Sequence, residues 1–276
     1  MPCDSAKLEM LKAKAKAIRR WSCIMTAEAG SGHPGGSLSA ADILSALYFH
    51  VMRHDPSNPR WPDRDRFIMS KGHACPALYA ALYEAGYLKG VDLKTLRKLG
   101  SPLQGHPDKR KLPVLEASTG SLGQGLSLGI GMALAARMDG RGYRTYVLLG
   151  DGECDEGQVW EAAMWAGAKK LDNITAIVDY NKIQLDDFVK VILDLEPFED
   201  KWRAFNWDVQ SVDGHDMARL VDAFERARET RGKPQVIIAH TVKGKGVSFM
   251  ENQVKFHGVA PTREELARAL AELDKA

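Results

Sequence analysis

Apolar positions Leu8, Leu11, Ala15 and Ile18 recur at helical spacing while lysines fill the opposite face, which predicts an amphipathic helix over residues 6–29. A polar, glycine-dense turn follows over 29–37. A second helical run covers 39–52, with Ser39 or Asp42 able to cap its start. Three prolines and many charges mark 54–66 as a surface loop. Residues 66–70 then read as a short buried strand leading into Lys71-Gly-His-Ala74 and a helix to about residue 85.

The pattern is clearest in the middle of the chain. Residues 143–149 form a β-branched and aromatic apolar run that ends in Gly150-Asp151-Gly152, and 157–170 read as a helix. Residues 173–179 form a second apolar run ending at Tyr180-Asn181-Lys182. Strand, helix and strand in so short a span make a βαβ unit, which implies a parallel sheet with helices on its faces. Residues 207–212 and 235–239 predict two more strands separated by a helix over 217–230, and a last helix spans 263–273. With no repeat, low-complexity tract or linker, residues 1–276 read as a single α/β domain, a mostly parallel sheet flanked by helices on both faces.

The composition is that of an ordinary globular chain: 45% hydrophobic and 27% charged among 276 residues. It excludes disordered, collagen-like and disulfide-scaffold classes. A formal charge of +2 gives no footprint for nucleic acid. Cys3, Cys23, Cys75 and Cys154 are scattered without a metal-ligand spacing, which suits reduced thiols and a cytoplasmic location. The first twenty residues lack a signal-peptide core, and Asp4 and Glu9 argue against a transit peptide. Residues 117–136 carry no charge, but their five glycines and several hydroxyls predict a glycine-rich loop feeding a buried helix rather than a membrane span.

Several sites are missing or weak. There is no nucleotide P-loop, and Gly125-Leu-Ser127-Leu-Gly129 matches a nucleophile elbow without the strand that must precede it. His50 and His54 stand four apart but lack the accompanying glutamate of a zinc helix.

Asp151 and Asn181 each sit just past the carboxyl end of a predicted strand, where open parallel sheets bind ligands. One carboxylate, one amide oxygen and a backbone carbonyl from the following turn suit Mg²⁺, which keeps its other positions for phosphate oxygens or water. A G-D-G is also a common tight turn, and that reading stays open on the residues alone. His33, His73, His106 and His257 each adjoin glycine in predicted loops or lie one residue from one, which suggests convergence on one pocket suited to proton transfer at hydroxyl and carbonyl oxygens.

Gly150-Asp-Gly-Glu-Cys-Asp-Glu-Gly157 through Asp179-Tyr-Asn-Lys-Ile183 resembles the thiamine-diphosphate signature. Ala29-Gly-Ser-Gly-His-Pro-Gly35, Ser70-Lys-Gly-His-Ala74, Thr119-Gly-Ser-Leu-Gly-Gln-Gly125 and Lys243-Gly-Lys-Gly246 with Phe256-His-Gly258 narrow the resemblance to transketolase, over about residues 8–265.

The resemblance implies a thiamine-diphosphate-binding fold and the following site. Asp151, Asn181 and the Ile183 carbonyl would hold Mg²⁺, or Ca²⁺ in its place. Gly152, His73, His257 and Lys243 would face the diphosphate, and Gly120 and Leu122 the aminopyrimidine. His33, His73, His106 and His257 are the implied catalytic histidines. Glu156 matches an acidic position near the family's dimer axis that links paired sites. Two positions depart from the pattern: Asp186-Asp187 stands where many members have Asp-Gly, and Ser121 where some have Pro.

Full transketolases add a pyrimidine-binding domain, with the glutamate that activates the cofactor, and a C-terminal domain. Neither is seen here. The resemblance therefore implies the N-terminal subunit of a split transketolase, inactive without its C-terminal partner, self-associating within an α2β2 assembly and acting on sugar phosphates. The readings weighed against it are an α chain of a 2-oxoacid dehydrogenase, a relative acting on a sulfo- or branched sugar, and a non-catalytic cofactor-binding module.

Overall fold

The computed structural model describes residues 4–275; Cys3 lies outside them. In chain order the helices are α1 (Ser5–Ala29), α2 (Pro34–Ser39), α3 (Ala41–Ala46), α4 (Cys75–Glu84), α5 (Gln124–Met138), α6 (Gly157–Ala168), α7 (Val189–Ile192), α8 (Phe198–Ala204), α9 (Met217–Glu229) and α10 (Arg263–Lys275). The strands are β1 (Arg66–Met69), β2 (Thr145–Gly150), β3 (Ile174–Tyr180), β4 (Asp208–Asp213) and β5 (Gln235–His240).

All four neighbouring pairs are parallel, in the order β1-β2-β3-β5-β4. Alternate residues of each strand feed opposite cores, which is why the central strands read as unbroken apolar runs. Tyr146, Leu148, Ile177 and Ile237 pack with side chains of α1, α3, α4 and α9. Val147, Leu149, Val178 and Ile238 pack with those of α5, α6 and α8. The expected α/β architecture, with helices on both faces, is the one observed. A third cluster brings Val247, Met250, Phe256 and Leu273 onto Cys23 and Leu38, tying the C-terminal segment to the N-terminal helices.

The expected helix over 39–52 is different in detail. Helix begins at Pro34, whose fixed φ suits a first helical turn, breaks at Ala40 and resumes at Ala41. Ser39 and Asp42 are therefore buried helical residues and not caps. Ser39 Oγ donates to Asp179 Oδ2 at 2.6 Å, and Asp42 accepts from Arg19 and from His215 Nδ1, the latter at 2.7 Å. Residues 47–51 continue as a π-helical turn.

The uncharged stretch resolves into a loop and α5, and among the described residues no helix is long and apolar enough to cross a membrane. Ser127 lies inside α5, so no strand-borne nucleophile elbow exists there. His50 faces Glu225 at 3.3 Å while His54 bonds the Tyr48 carbonyl and Tyr87, and among the described residues no group of His, Cys, Asp or Glu side chains has metal-binding geometry. Cys23, Cys75 and Cys154 are buried free thiols.

Candidate active site at the carboxyl ends of the strands

Gly150 closes β2 and pairs with Asp179 of β3, so Asp151 and Asn181 emerge side by side from adjacent strands. Both are almost fully buried. Asp151 Oδ1 accepts from the Gly152 N–H at 2.9 Å, and its other oxygen accepts from the Lys182 N–H. Asn181 Oδ1 accepts from the Ile183 N–H at 3.2 Å. The Ile183 carbonyl receives the Lys243 ammonium at 2.7 Å.

A cavity of about 230 Å³ opens over these groups, lined by Asp151, Gly152, Asn181 and Ile183 at its floor. His33, His73, His106, His257, Gly120, Leu122 and Lys243 also line it. Four separate chain segments bring the histidines together: His33 precedes α2, His73 lies in a 3-10 turn ahead of α4, His106 in the long loop before α5, and His257 at the end of a 3-10 turn before α10. Ring centroids are 5.1 Å apart for His73 and His257, 5.2 Å for His33 and His73, 5.6 Å for His33 and His257, and 6.1 Å for His33 and His106. Gly120 adopts φ +145°, a region open to glycine, and a Cβ there would lie 3.1 Å from the His106 ring.

The cluster is neutral at pH 7. Burial, then the Arg97 guanidinium, lowers His33 to about 4. Burial, then Lys243, lowers His257 to about 3. Burial also lowers His73 and His106, helped by Lys71 and Arg97 respectively. His33 Nδ1 is buried without a hydrogen-bond partner, a free polar atom beside the other three rings. Lys243 Nζ contacts His257 Nδ1 at 2.7 Å, so that nitrogen is the acceptor and the ring's proton sits on Nε2.

The cavity wall also contains a buried charged layer, Lys71 and Glu153 with Asp179 behind them, that the sequence pattern does not show. Lys71, 2% exposed, pairs with the fully buried Asp179 and donates to the Gly36 carbonyl at 2.9 Å. Asp179 also accepts from Ser39, Thr241 and the Asn181 amide, the last at 3.3 Å, which orients that amide with its oxygen turned away from Asp179. Burial alone would push the Asp179 carboxyl up, but Lys71 and the hydroxyls outweigh it and hold it below the usual carboxylate range. Glu153 accepts from the Gly123 and Gly150 N–H groups at 3.0 and 2.9 Å and from Ser70, locking the G-D-G turn to the loop before α5. Gln184 and Leu185 also line the cavity. Lys71 and Glu153 stand within the Ser70–Ala74 and Gly150–Gly157 motifs, and their burial in a charged layer was the unread signal.

One expected site residue stands apart. Glu156 is exposed at the start of α6 and does not line the cavity. The departing Asp186-Asp187 pair closes a tight turn, with Gln184 N–H donating to the Asp187 carbonyl at 3.0 Å and Ile183 bridging Phe188.

The donor set fits a hard divalent ion. Asp151, Asn181 and Ile183 line the cavity, and a carboxylate, an amide oxygen and a main-chain carbonyl are the oxygen donors Mg²⁺ and Ca²⁺ prefer. Burial, reinforced by Asp179, pushes the Asp151 carboxyl up against the Lys182 and Gly152 N–H groups and the Lys243 charge, and a bound cation would act in the same direction as Lys243.

Oxygen donors at the ends of adjacent parallel strands beside a cluster of histidines mark this as a cofactor-type site of an α/β domain. The family model described as "Transketolase, thiamine diphosphate binding domain" matches residues 10–274, and the chain belongs to the transketolase family. It is 49% identical over 265 residues to a 6-deoxy-6-sulfo-D-fructose transketolase subunit of a Clostridium species, covering 96% of each chain. It is 43% identical to one subunit of the apulose-4-phosphate transketolase of Phocaeicola vulgatus, covering 98% of this chain and 95% of that protein. Transketolase of Homo sapiens is 43% identical over 256 residues, but this chain spans only 40% of its length. The crystal structure of transketolase from Campylobacter jejuni superposes with a TM-score of 0.91 at 37% identity, covering 96% of this chain and 43% of that one.

Proposed function

We propose that this chain is the diphosphate-binding subunit of a two-subunit transketolase that moves a two-carbon ketol unit from a ketose to an aldose. The observation that supports the reading is that four clustered histidines line the same cavity as Asp151, Asn181 and Ile183. A sulfo-sugar or branched sugar phosphate is favoured as substrate over the common pentose phosphates. The same-length relatives named above belong to transketolases of such sugars.

In this reading Asp151, Asn181 and the Ile183 carbonyl hold Mg²⁺, while Gly152, His73, His257 and Lys243 face the diphosphate. The Ile183 carbonyl accepts from Lys243, and a bound ion would share or displace that contact. Gly120 and Leu122 meet the aminopyrimidine. Bound thiamine diphosphate supplies the nucleophilic carbon on which ketol transfer depends. His33, His106 and His257 orient the sugar hydroxyls and carbonyl oxygen as neutral hydrogen-bond donors and acceptors. The low pKa of His33 and His257 suits them to this role better than to shuttling protons. Glu156, exposed on α6, is assigned to contact between copies in the assembly, since it does not reach the cavity.

The relatives that match this chain over nearly their full length are named as subunits, which supports a partner chain that covers the pyrimidine end of the cofactor. Purified alone, the protein should show no ketol transfer. Mixed with a partner chain resembling the remaining part of a transketolase, it should transfer the unit from a sulfo-ketose or branched ketose phosphate donor. Full turnover by the lone chain, or none by the mixture with any sugar donor, contradicts the reading.

A further inference from the structure

A second cavity, about 480 Å³, lies at the opposite, amino end of the sheet. Its walls come from the segments that lead into strands: Asp65 before β1, residues 142–144 before β2, Asp172 and Asn173 before β3, and Arg228 and Arg231 at and beyond the end of α9. Arg53, Arg137, Arg141, Arg144, Arg228 and Arg231 line it, six guanidiniums against the two carboxylates of Asp65 and Asp172.

Four of these arginines have acidic partners. Arg53 meets Asp65 at 3.1 Å, Arg137 meets Asp172 at 2.8 Å, Arg141 meets Asp63 at 2.9 Å and Arg228 meets Glu225 at 3.2 Å. The two lining carboxylates are further occupied by main-chain donors: Asp65 accepts from the Arg53 and Arg144 N–H groups, and Asp172 from that of Gly232.

Arg144 and Arg231 make no ion pair among the described residues. Arg144 Nη2 is spent on neutral oxygens, the Asp172 and Ala227 carbonyls and Gln235 Oε1 at 3.0, 3.1 and 2.6 Å. Its Nε is buried with no partner. Arg231 donates only to the Arg228 and Thr230 carbonyls. Arg144 is partly buried and Arg231 exposed beside it; a partly buried guanidinium without a counter-ion is costly, and a like charge nearby raises that cost. Burial lowers the Arg144 pKa and the Arg231 charge adds to it, against the opposing pull of Tyr146, Asp65 and Asp172.

We propose that this amino-end cavity is a second, separate binding site for a small soluble phosphate-type anion, held by Arg144 and Arg231. Planar guanidiniums match phosphate oxygens in paired hydrogen bonds, and the volume admits a phosphate or diphosphate group. The site shares no residue with the histidine cavity.

Inorganic pyrophosphate serves as the probe, titrated calorimetrically into the full chain in EDTA with amide NMR shifts recorded alongside. Pyrophosphate also suits the carboxyl-end cavity, so location is the deciding readout. Shifts are expected at the amides of Gly142, Asn173 and Gly232, distinct from any at Gly150, Gly152 and Lys182. Arg231→Ala, at an exposed position, should weaken binding at the first set by roughly tenfold, the loss of one charge-assisted hydrogen bond. Arg144→Gln should do the same, with Arg231→Ala retained as the test if that variant misfolds. Vesicles containing phosphatidic acid should not sediment the chain.

Shifts confined to Gly150–Lys182, unchanged affinity in Arg231→Ala, or no response to pyrophosphate would each overturn the assignment. Vesicle binding without pyrophosphate binding would move it from a soluble anion to a lipid headgroup and likewise overturn it.

Discussion

Asp151 carries the one carboxylate among the three oxygen donors, and Asn181 and the Ile183 carbonyl are neutral. Removing that carboxylate strips the ion's charge balance. Asp151→Ala should weaken magnesium-dependent binding of thiamine diphosphate to the assembled enzyme by about 100-fold or more, read by calorimetry; unchanged affinity removes the metal assignment. The histidines make a separate prediction with a definite sign. Above pH 6.5 folded and unfolded chains both carry neutral rings, so titration adds nothing. As pH falls from 6.5 towards 4 the unfolded chain takes up protons that folded His33 and His257 refuse, and stability falls. The melting temperature should therefore drop across that window, and His33→Gln should make the drop smaller; an equal slope in the variant contradicts neutral burial. Asp151, Asn181 and the histidines were legible because each adjoins a glycine or a strand end. Lys71 and Asp179 were not, because 108 positions separate them and only the fold makes them partners.

Strand periodicity was legible for a physical reason: a strand buried on both faces has no polar side to interrupt it, and β2 and β3 are buried along nearly their whole length. Helix starts were harder. At residues 34–42 the sequence offers glycine and serine, the residues of turns, yet tertiary packing makes them helical and buries their hydroxyls on Asp179 and on the His33 carbonyl. The short helices α7 and α8 follow the site loop without any sustained apolar repeat, and they escaped notice. Helix α5 shows how closely an element can rest on the sheet. A Cβ at Gly129 would approach Val147 Cγ2 to 2.4 Å, so Gly129→Leu should lift α5 from β2 and destabilise the domain by about 1–3 kcal/mol. Urea unfolding checks this, and wild-type stability in the variant would show that α5 has room to spare.

At the level of the domain, the residues proposed to hold the diphosphate end of the cofactor lie at the carboxyl ends of β2 and β3 and in the loops around them. Leu185, which lines the cavity, is an exposed apolar side chain that a partner could cover. A partner chain there should raise cofactor affinity as well as confer turnover, and titration of the partner at fixed cofactor checks the coupling; affinity independent of the partner contradicts it. The most direct test is a crystal structure of the assembled enzyme soaked with thiamine diphosphate and Mg²⁺. The account predicts a metal at about 2.1 Å from Asp151, Asn181 and the Ile183 carbonyl, with diphosphate oxygens completing its shell below the four histidines. Diphosphate bound away from the ends of β2 and β3, or a metal that leaves Asp151 untouched, would contradict it.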